Sequence, residues 1–258
     1  MSKVVLLTGG GVKSAIAAAR YAPDSQLCFV HVDYGQASAV RERAASEAIA
    51  SVFPESSFVA LSVPHLVRVA GLGGSSAPSG DGAERRPGKI ASVDSAASAW
   101  MRRCVMPQMM LTGWQCATRL GTGVVVTGLC RHWTSARLEW GEDNAGRDAR
   151  RELLYAMNLV FESGGPARTI RLEAPLADVA PGDIVRLGGR WNVPLGATWS
   201  CDGAGDEPCR SCAGCQARAE AFRSAGVVDP RVAAQGGEAS AAPGAVRGLR
   251  AKQGITQG

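Results

Sequence analysis

This sequence predicts an α/β fold: a doubly wound parallel sheet carrying a small zinc-binding subdomain at its C-terminal end. Three observations predict it. Short, largely apolar runs alternate with helical stretches between Val4 and Val63. The first run passes into an alanine-rich stretch through Gly9, Gly10 and Gly11. Four of the eight cysteines crowd into residues 201–215. Unbroken apolar runs mark strands covered on both faces, and alternation with helices at this spacing builds a parallel sheet.

The elements follow in order. Residues 4–8 form the first strand. Residues 14–21 are rich in alanine and form a helix that Pro23 stops. Residues 27–32 are the second strand, and "DYGQ", 33–36, is the loop at its end. A helix over 37–51 turns Arg41, Glu42, Arg43 and Glu47 to water. Residues 58–63 are the third strand. The stretch 71–97, opening "GLGGSSAPSGDGAERRPGK", breaks the pattern and reads as a lid or a disordered loop. A helix over 101–120 follows, then a buried strand over 123–130, an amphipathic helix over 148–163 and a strand over 169–172. Pro181 suits the first turn of a helix running to 187, with Gly188 and Gly189 as its stop. A last helix covers 216–224. Beyond Asp229 large apolar residues become scarce, and a disordered tail is expected. The expected division is a sheet domain over 1–190, a four-cysteine region over 191–229 and a tail over 230–258.

Composition bounds the function. At 258 residues the chain can bury a core without disulfide staples. No stretch approaches the ~18 apolar residues of a membrane span. The start lacks the charged, apolar and small-residue order of a secretory leader, so a cytoplasmic protein is expected. The net charge of +5 is spread along the chain and suits anionic small molecules. A nucleic-acid module at the basic, cysteine-rich end is disfavoured, because basic and aromatic residues do not interleave there.

The cysteines divide into two groups. Cys28, Cys104, Cys116 and Cys130 are scattered through apolar or helical segments and read as buried free thiols. Cys201, Cys209, Cys212 and Cys215 follow the spacing C-x7-C-x2-C-x2-C. Four thiolates so spaced can close a tetrahedral site, for which zinc is the default ion. A redox pair or an iron–sulfur cluster are the alternatives. A closed four-sulfur site leaves no position for substrate, so its role is structural, pinning the C-terminal loop to the sheet.

The stretch "LLTGGGVKSAIAAA", 6–19, carries the other signal. The general P-loop fails here: with its lysine on Lys13, its glycines fall on Leu7 and Val12. The spaced glycines of a dinucleotide fold fail too, because these are consecutive. A strand, a Gly-Gly turn and a hydroxyl at a helix start remain, an arrangement that aims backbone N–H groups at an anion. A plain tight turn is the alternative. The pattern resembles S-G-G-x-D-S, the loop of the ATP enzymes that release pyrophosphate. Gly9 takes the first Ser, Gly10 and Gly11 the glycines, Val12 the variable place, Lys13 the Asp and Ser14 the final Ser.

Four segments together resemble the 7-cyano-7-deazaguanine synthase family of queuosine biosynthesis: the glycine loop, "VDYGQ" at 32–36, "EAPLADVAPGDIVRLG" at 173–188, and "VPLGATWSC" running into the four cysteines, then "RAEAF". The resemblance spans roughly 1–225, with gaps at 71–105 and 131–147. It implies an adenine nucleotide alpha hydrolase-like sheet and an ATP-dependent ligase that turns a deazapurine carboxylate and ammonia into a nitrile through adenylated intermediates. It implies ATP held by Thr8, Gly9, Gly10, Gly11, Val12, Lys13, Ser14, Ala15, Ile16, Ala17 and Ala18, and by Asp33, Tyr34, Gly35 and Gln36. Lys13 and Ser14 would be the catalytic pair, with Zn2+ on the four cysteines and Mg2+ accompanying ATP. The implied partners are small molecules, with no membrane and no nucleic acid, and a homodimer is compatible.

Departures from the family pattern set a second expectation. Lys13 stands where the family has an acid, which weakens the expected hold on Mg2+. "RCVM", 103–106, stands where the family has P-G-R-N, and Pro181 where it has a lysine. The family's Asp-Cys-Arg segment is not intact, with Asp143 or Asp148 as a substitute acid. The alternative is therefore a repurposed relative that binds a nucleotide or deazapurine, or acts on another carboxylate, without the family reaction.

Overall fold

The computed structural model describes residues 1–63, 95–130, 149–164 and 170–233. The elements are β1 (Ser2–Thr8), α1 (Val12–Tyr21), β2 (Ser25–Asp33), α2 (Ala39–Ala50), β3 (Ser57–Ser62), α3 (Ser95–Leu120), β4 (Val124–Val126), α4 (Ala149–Gly164), β5 (Arg171–Glu173), α5 (Pro181–Arg190), α6 (Ala213–Ala225) and α7 (Pro230–Ala233). The sheet order is β3-β2-β1-β4-β5, with every pairing parallel. The chain steps outward from β1 to β3, then crosses to the other flank at β4. That reversal opens a crevice at the carboxyl ends of β1 and β4, where open α/β sheets bind ligands.

Alternate strand residues feed two cores, as the period of two requires. Val4, Leu6, Leu27 and Phe29 pack with Ile16 of α1, Ile49 of α2 and Ile184 of α5. Val5, Leu7, Cys28, Val30 and Val32 pack with Met110 of α3 and with Leu153, Met157 and Phe161 of α4. Trp191, Val193, Leu195, Ala221 and Phe222, from the C-terminal part of the chain, lie in the first of these cores. The doubly wound sheet is therefore as expected. Among the described residues, no helix is long and apolar enough to cross a membrane.

Several boundaries differ from those read in the sequence. The strand expected over 123–130 pairs only at Val124–Val126. Thr127 N–H still donates to the Glu173 carbonyl at 2.9 Å, and then the chain leaves the ladder. Gly128 passes so close to α1 that a Cβ there would stand 3.1 Å from Lys13 Cβ. α5 runs through Gly188 and Gly189 to Arg190 instead of stopping at them. Gly188 is small for packing: a Cβ on it would meet Leu195 Cδ1 at 2.8 Å and Ile16 Cδ1 at 3.1 Å. The chain turns instead after Trp191, at Asn192, whose φ is 53°.

α3 begins at Ser95, ahead of 101, so it takes the last residues of the expected loop and carries Pro107 within it. Residues 230–233 of the expected tail form one helical turn. Residues 71–94, Asp143, Asp148 and 234–258 lie outside the described residues.

Candidate active site and metal centre

The glycine turn is held from beneath by Thr8. Its Oγ1 accepts the Gly10 N–H at 3.1 Å and bonds Ser46 Oγ of α2 at 3.2 Å and Ser14 Oγ at 3.3 Å. Ser14 Oγ in turn donates to the Gly11 carbonyl at 3.0 Å. The Ser14 hydroxyl thus braces the loop. Gly10 takes φ 67°, and a Cβ on it would lie 2.6 Å from the Glu42 carbonyl and 2.7 Å from Ala45 Cβ. Both backbone conformation and space demand glycine there. No side chain caps α1 at Gly11. Its first-turn N–H groups keep their positive end toward the crevice.

That crevice is a cleft of about 230 Å³. Thr8, Gly9, Gly11, Val12, Lys13 and Ser14 form one side. Leu7, Val30, Val32, Met106, Met109 and Leu129 give it an apolar wall, and Tyr34 and Glu42 close one end. Thr127 and Gly128 come from the end of β4, and Trp199, Ser200, Asp202 and Gly214 from the cysteine-rich segment. Ala15, Ile16, Ala17 and Ala18 are wholly buried in the core on the far side of α1 and do not line the cleft.

The "DYGQ" loop spends most of its polar groups on itself. Asp33 Oδ1 accepts the Gly35 N–H at 2.8 Å, and Gly35 takes φ 90°. Gln36 Oε1 accepts the Tyr34 N–H at 2.9 Å, and its Nε2 donates to the Val32 carbonyl and to Glu42 Oε2. Of these four residues, Tyr34 reaches the cleft. Asp33 faces a separate hollow between α2 and β3, with His31, Arg43 and Glu47. Glu42, read in the sequence as facing water, instead receives Gln36 and Ser38 and borders the cleft.

The four C-terminal cysteines converge as their spacing suggests. Their sulfurs all lie within 4.8 Å of one another. A tetrahedral ion with sulfur bonds of ~2.3 Å needs sulfurs about 3.8 Å apart. The Cys201–Cys212 separation is 4.0 Å, so the donor set fits one metal ion. Backbone N–H groups point at these sulfurs: Gly203 and Cys209 at Cys201 Sγ, Cys212 at Cys209 Sγ, and Asp202 and Cys215 at Cys212 Sγ. Such donors favour thiolates. N–H and O–H donation from Ser211, with the Cys212 N–H, lowers the Cys209 thiol to about 6. Burial pushes the Cys212 and Cys215 thiols up.

Cleft and cysteines share one junction. Trp199 N–H donates to the Gly10 carbonyl at 2.8 Å. Trp199, Cys201 and Cys215 pack on Ala45 of α2. Arg41 of α2 pairs with Asp206 in the cysteine loop. A Cβ on Gly214 would fall 2.0 Å from the Ser200 carbonyl, so only glycine lets α6 start against this segment. The sequence reading missed Glu42, Thr127, Gly128, Trp199, Ser200 and Asp202. One signal was available for Gly128: a glycine just past an apolar run, at the carboxyl end of a strand.

Comparison with known proteins gives the following likenesses. A tRNA thiolase, NcsA, from Methanococcus maripaludis aligns in structure over 86% of this chain and 64% of its own, at 11% identity and a TM-score of 0.44. That likeness is too slight to bear on the site. The 7-cyano-7-deazaguanine synthase of Methanothrix thermoacetophila is 30% identical over 239 residues, covering 89% of this chain and 98% of its own length. That of Acidobacterium capsulatum is 26% identical over 230 residues, covering 88% and 95%. A shorter match to the Oceanobacillus iheyensis enzyme reaches 43% over 86 residues, 32% of this chain and 38% of that one. The family described as "Queuosine biosynthesis protein QueC" matches residues 3–226. The chain belongs to the QueC family.

Proposed function

We propose that this chain is an ATP-dependent ligase of the 7-cyano-7-deazaguanine synthase type. The observation that carries the reading is the shared cleft. An uncapped helix start, an apolar wall and residues flanking the cysteine centre meet at the sheet's reversal point. Phosphates suit the Gly9–Ser14 side and a flat heterocycle suits Val30, Val32, Met109 and Tyr34. On this reading residues 1–190 bind the nucleotide and 191–229 form the metal-bearing cover. Cys201, Cys209, Cys212 and Cys215 would hold zinc, which fixes the fold of that cover and leaves no open position for substrate.

The chemistry runs in two activations. A deazapurine carboxylate oxygen attacks the α-phosphorus of ATP, and pyrophosphate leaves. Ammonia attacks the acyl carbon, AMP departs, and an amide remains. The amide oxygen attacks a second ATP, and pyrophosphate again leaves. Loss of AMP and of the nitrogen's protons completes the nitrile. The chain's part is positioning and charge neutralisation. The first N–H groups of α1 meet phosphate oxygens. Lys13 adds a cation where charge gathers on departing pyrophosphate. Thr8 and Ser14 keep the turn rigid. Mg2+ would arrive on ATP, since a cation at Lys13 repels it.

The test mixes protein, ATP, magnesium, ammonium and 7-carboxy-7-deazaguanine and follows nitrile and AMP by mass spectrometry. Nitrile with two AMP per turnover is expected. ATP binding without AMP on any carboxylate tried would overturn the ligase reading and leave a repurposed nucleotide binder.

A further inference from the structure

Arg218 of α6 lies buried, 5% exposed, among acceptors supplied by the protein. Its Nη1 donates to Thr198 Oγ1 at 2.6 Å and reaches the Thr198 carbonyl at 3.4 Å. Its Nη2 donates to the Leu195 carbonyl at 3.0 Å. Nε and Nη2 also grip both oxygens of Asp229, at 2.6 and 2.8 Å. Asp229 Oδ1 accepts the Arg231 N–H at 3.0 Å. Arg231 then lies over the Trp199 ring, 4.7 Å from its centroid, and donates to the Gly196 and Thr198 carbonyls.

Two guanidiniums, one of them clamped by the Asp229 carboxylate, thus hold three carbonyls of a single short arc, 195–198. The next residue, Trp199, gives its N–H to Gly10. A planar, always charged fork can fix several carbonyls at once in a way a lysine cannot. A buried pair of this kind adds little net stability beside apolar packing, so what it contributes here is orientation. Arg218 itself is not among the cleft residues.

We propose that Arg218 is a positioning residue for the glycine loop. It fixes the 195–198 arc so that Trp199 closes on Gly10, and it sets nucleotide affinity without touching nucleotide. The inference rests on the reading of the cleft as an ATP site.

The experiment compares the wild-type chain with Arg218→Lys and with the milder Thr198→Val, which keeps shape but removes the hydroxyl that accepts from Arg218 and donates to the Leu195 carbonyl. Binding of ATP is measured by calorimetry, alongside metal content, thermal midpoint and the KM for each substrate. Wild-type binding of ATP is the control for the underlying reading; its absence sinks that reading, and this inference with it. With ATP bound, Arg218→Lys should keep its metal and weaken ATP by about tenfold, the scale of one charge-assisted hydrogen bond. KM for ATP should rise while KM for the carboxylate holds, and Thr198→Val should show the same split to a smaller degree. Should Arg218→Lys fail to fold, Thr198→Val decides alone. A folded, metal-loaded variant with unchanged ATP affinity, or an equal loss for both substrates, overturns the assignment and leaves a structural brace.

Discussion

Trp199 and Gly10 are joined backbone to backbone, the Trp199 N–H donating to the Gly10 carbonyl at 2.8 Å. The bond links the segment bearing the first cysteine of the metal centre to the turn between β1 and α1. Gly11 lies on the same contact, where a Cβ would stand 3.4 Å from the Trp199 carbonyl. The two sequence signals, glycines early and cysteines late, therefore lie side by side in the fold.

Gly10→Ala tests the turn. The substitution places a Cβ against the Glu42 carbonyl and Ala45 at a positive φ. Strain and overpacking together should destabilise the fold by about 3 kcal/mol. Urea unfolding measures this. ATP affinity should fall further than stability alone explains.

Metal removal tests the cover. Purified protein should carry about one zinc per chain by elemental analysis. Gly214→Ala forces the start of α6 away from the Ser200 carbonyl and should lose metal together with thermal stability. Full metal retention by this variant would contradict the close approach described at Gly214.

Lys13→Asp restores the acid of the family's loop pattern and reverses the charge in the cleft. If Lys13 neutralises phosphate, ATP affinity should drop by about tenfold or more. Titration with and without magnesium reads this. Tighter binding and faster AMP release would instead mark Lys13 as a lesion.

Tyr21 offers a pH signature. Its hydroxyl donates to Glu173, and burial first, then that carboxylate, raises the phenol far above its ordinary value of 10.0. A raised phenol contributes stability that is present below pH 10 and is lost as pH climbs above it. One tyrosine should therefore lag in the ultraviolet ionisation curve, and Tyr21→Phe should abolish that lag. The same variant strands the Glu173 carboxylate and should cost about 1–2 kcal/mol near neutrality.

What could be read without coordinates was local in sequence. Apolar runs marked the strands of a parallel sheet: β1 and β2 are buried over most of their length, whereas β3, at the sheet edge, is largely exposed. The four cysteines were legible because their spacing is itself the ligand geometry. Glu42 was not, since its partners Gln36 and Ser38 recruit it only once the "DYGQ" loop has closed. Gly188 looked like a helix stop, and only Leu195, returning after the turn, reveals it as a packing glycine. Arg218 stood out only as the first residue of "RAEAF"; its role as a brace depends on Thr198 and Asp229, which reach it only in the fold.

The position of β1 bears on how the molecule is made. Of the five strands of this sheet, the earliest in the chain lies at the centre, and its neighbour β2 follows at once. Its other neighbour, β4, is more than a hundred residues away, and Trp199 is later still. On the ribosome the β1–β2–β3 flank can pair early while one edge of β1 stays open. That open edge is also where the cleft forms. The glycine loop is thus made long before Trp199, the residue that closes on Gly10, and the β4 side of β1 stays unpaired through that interval.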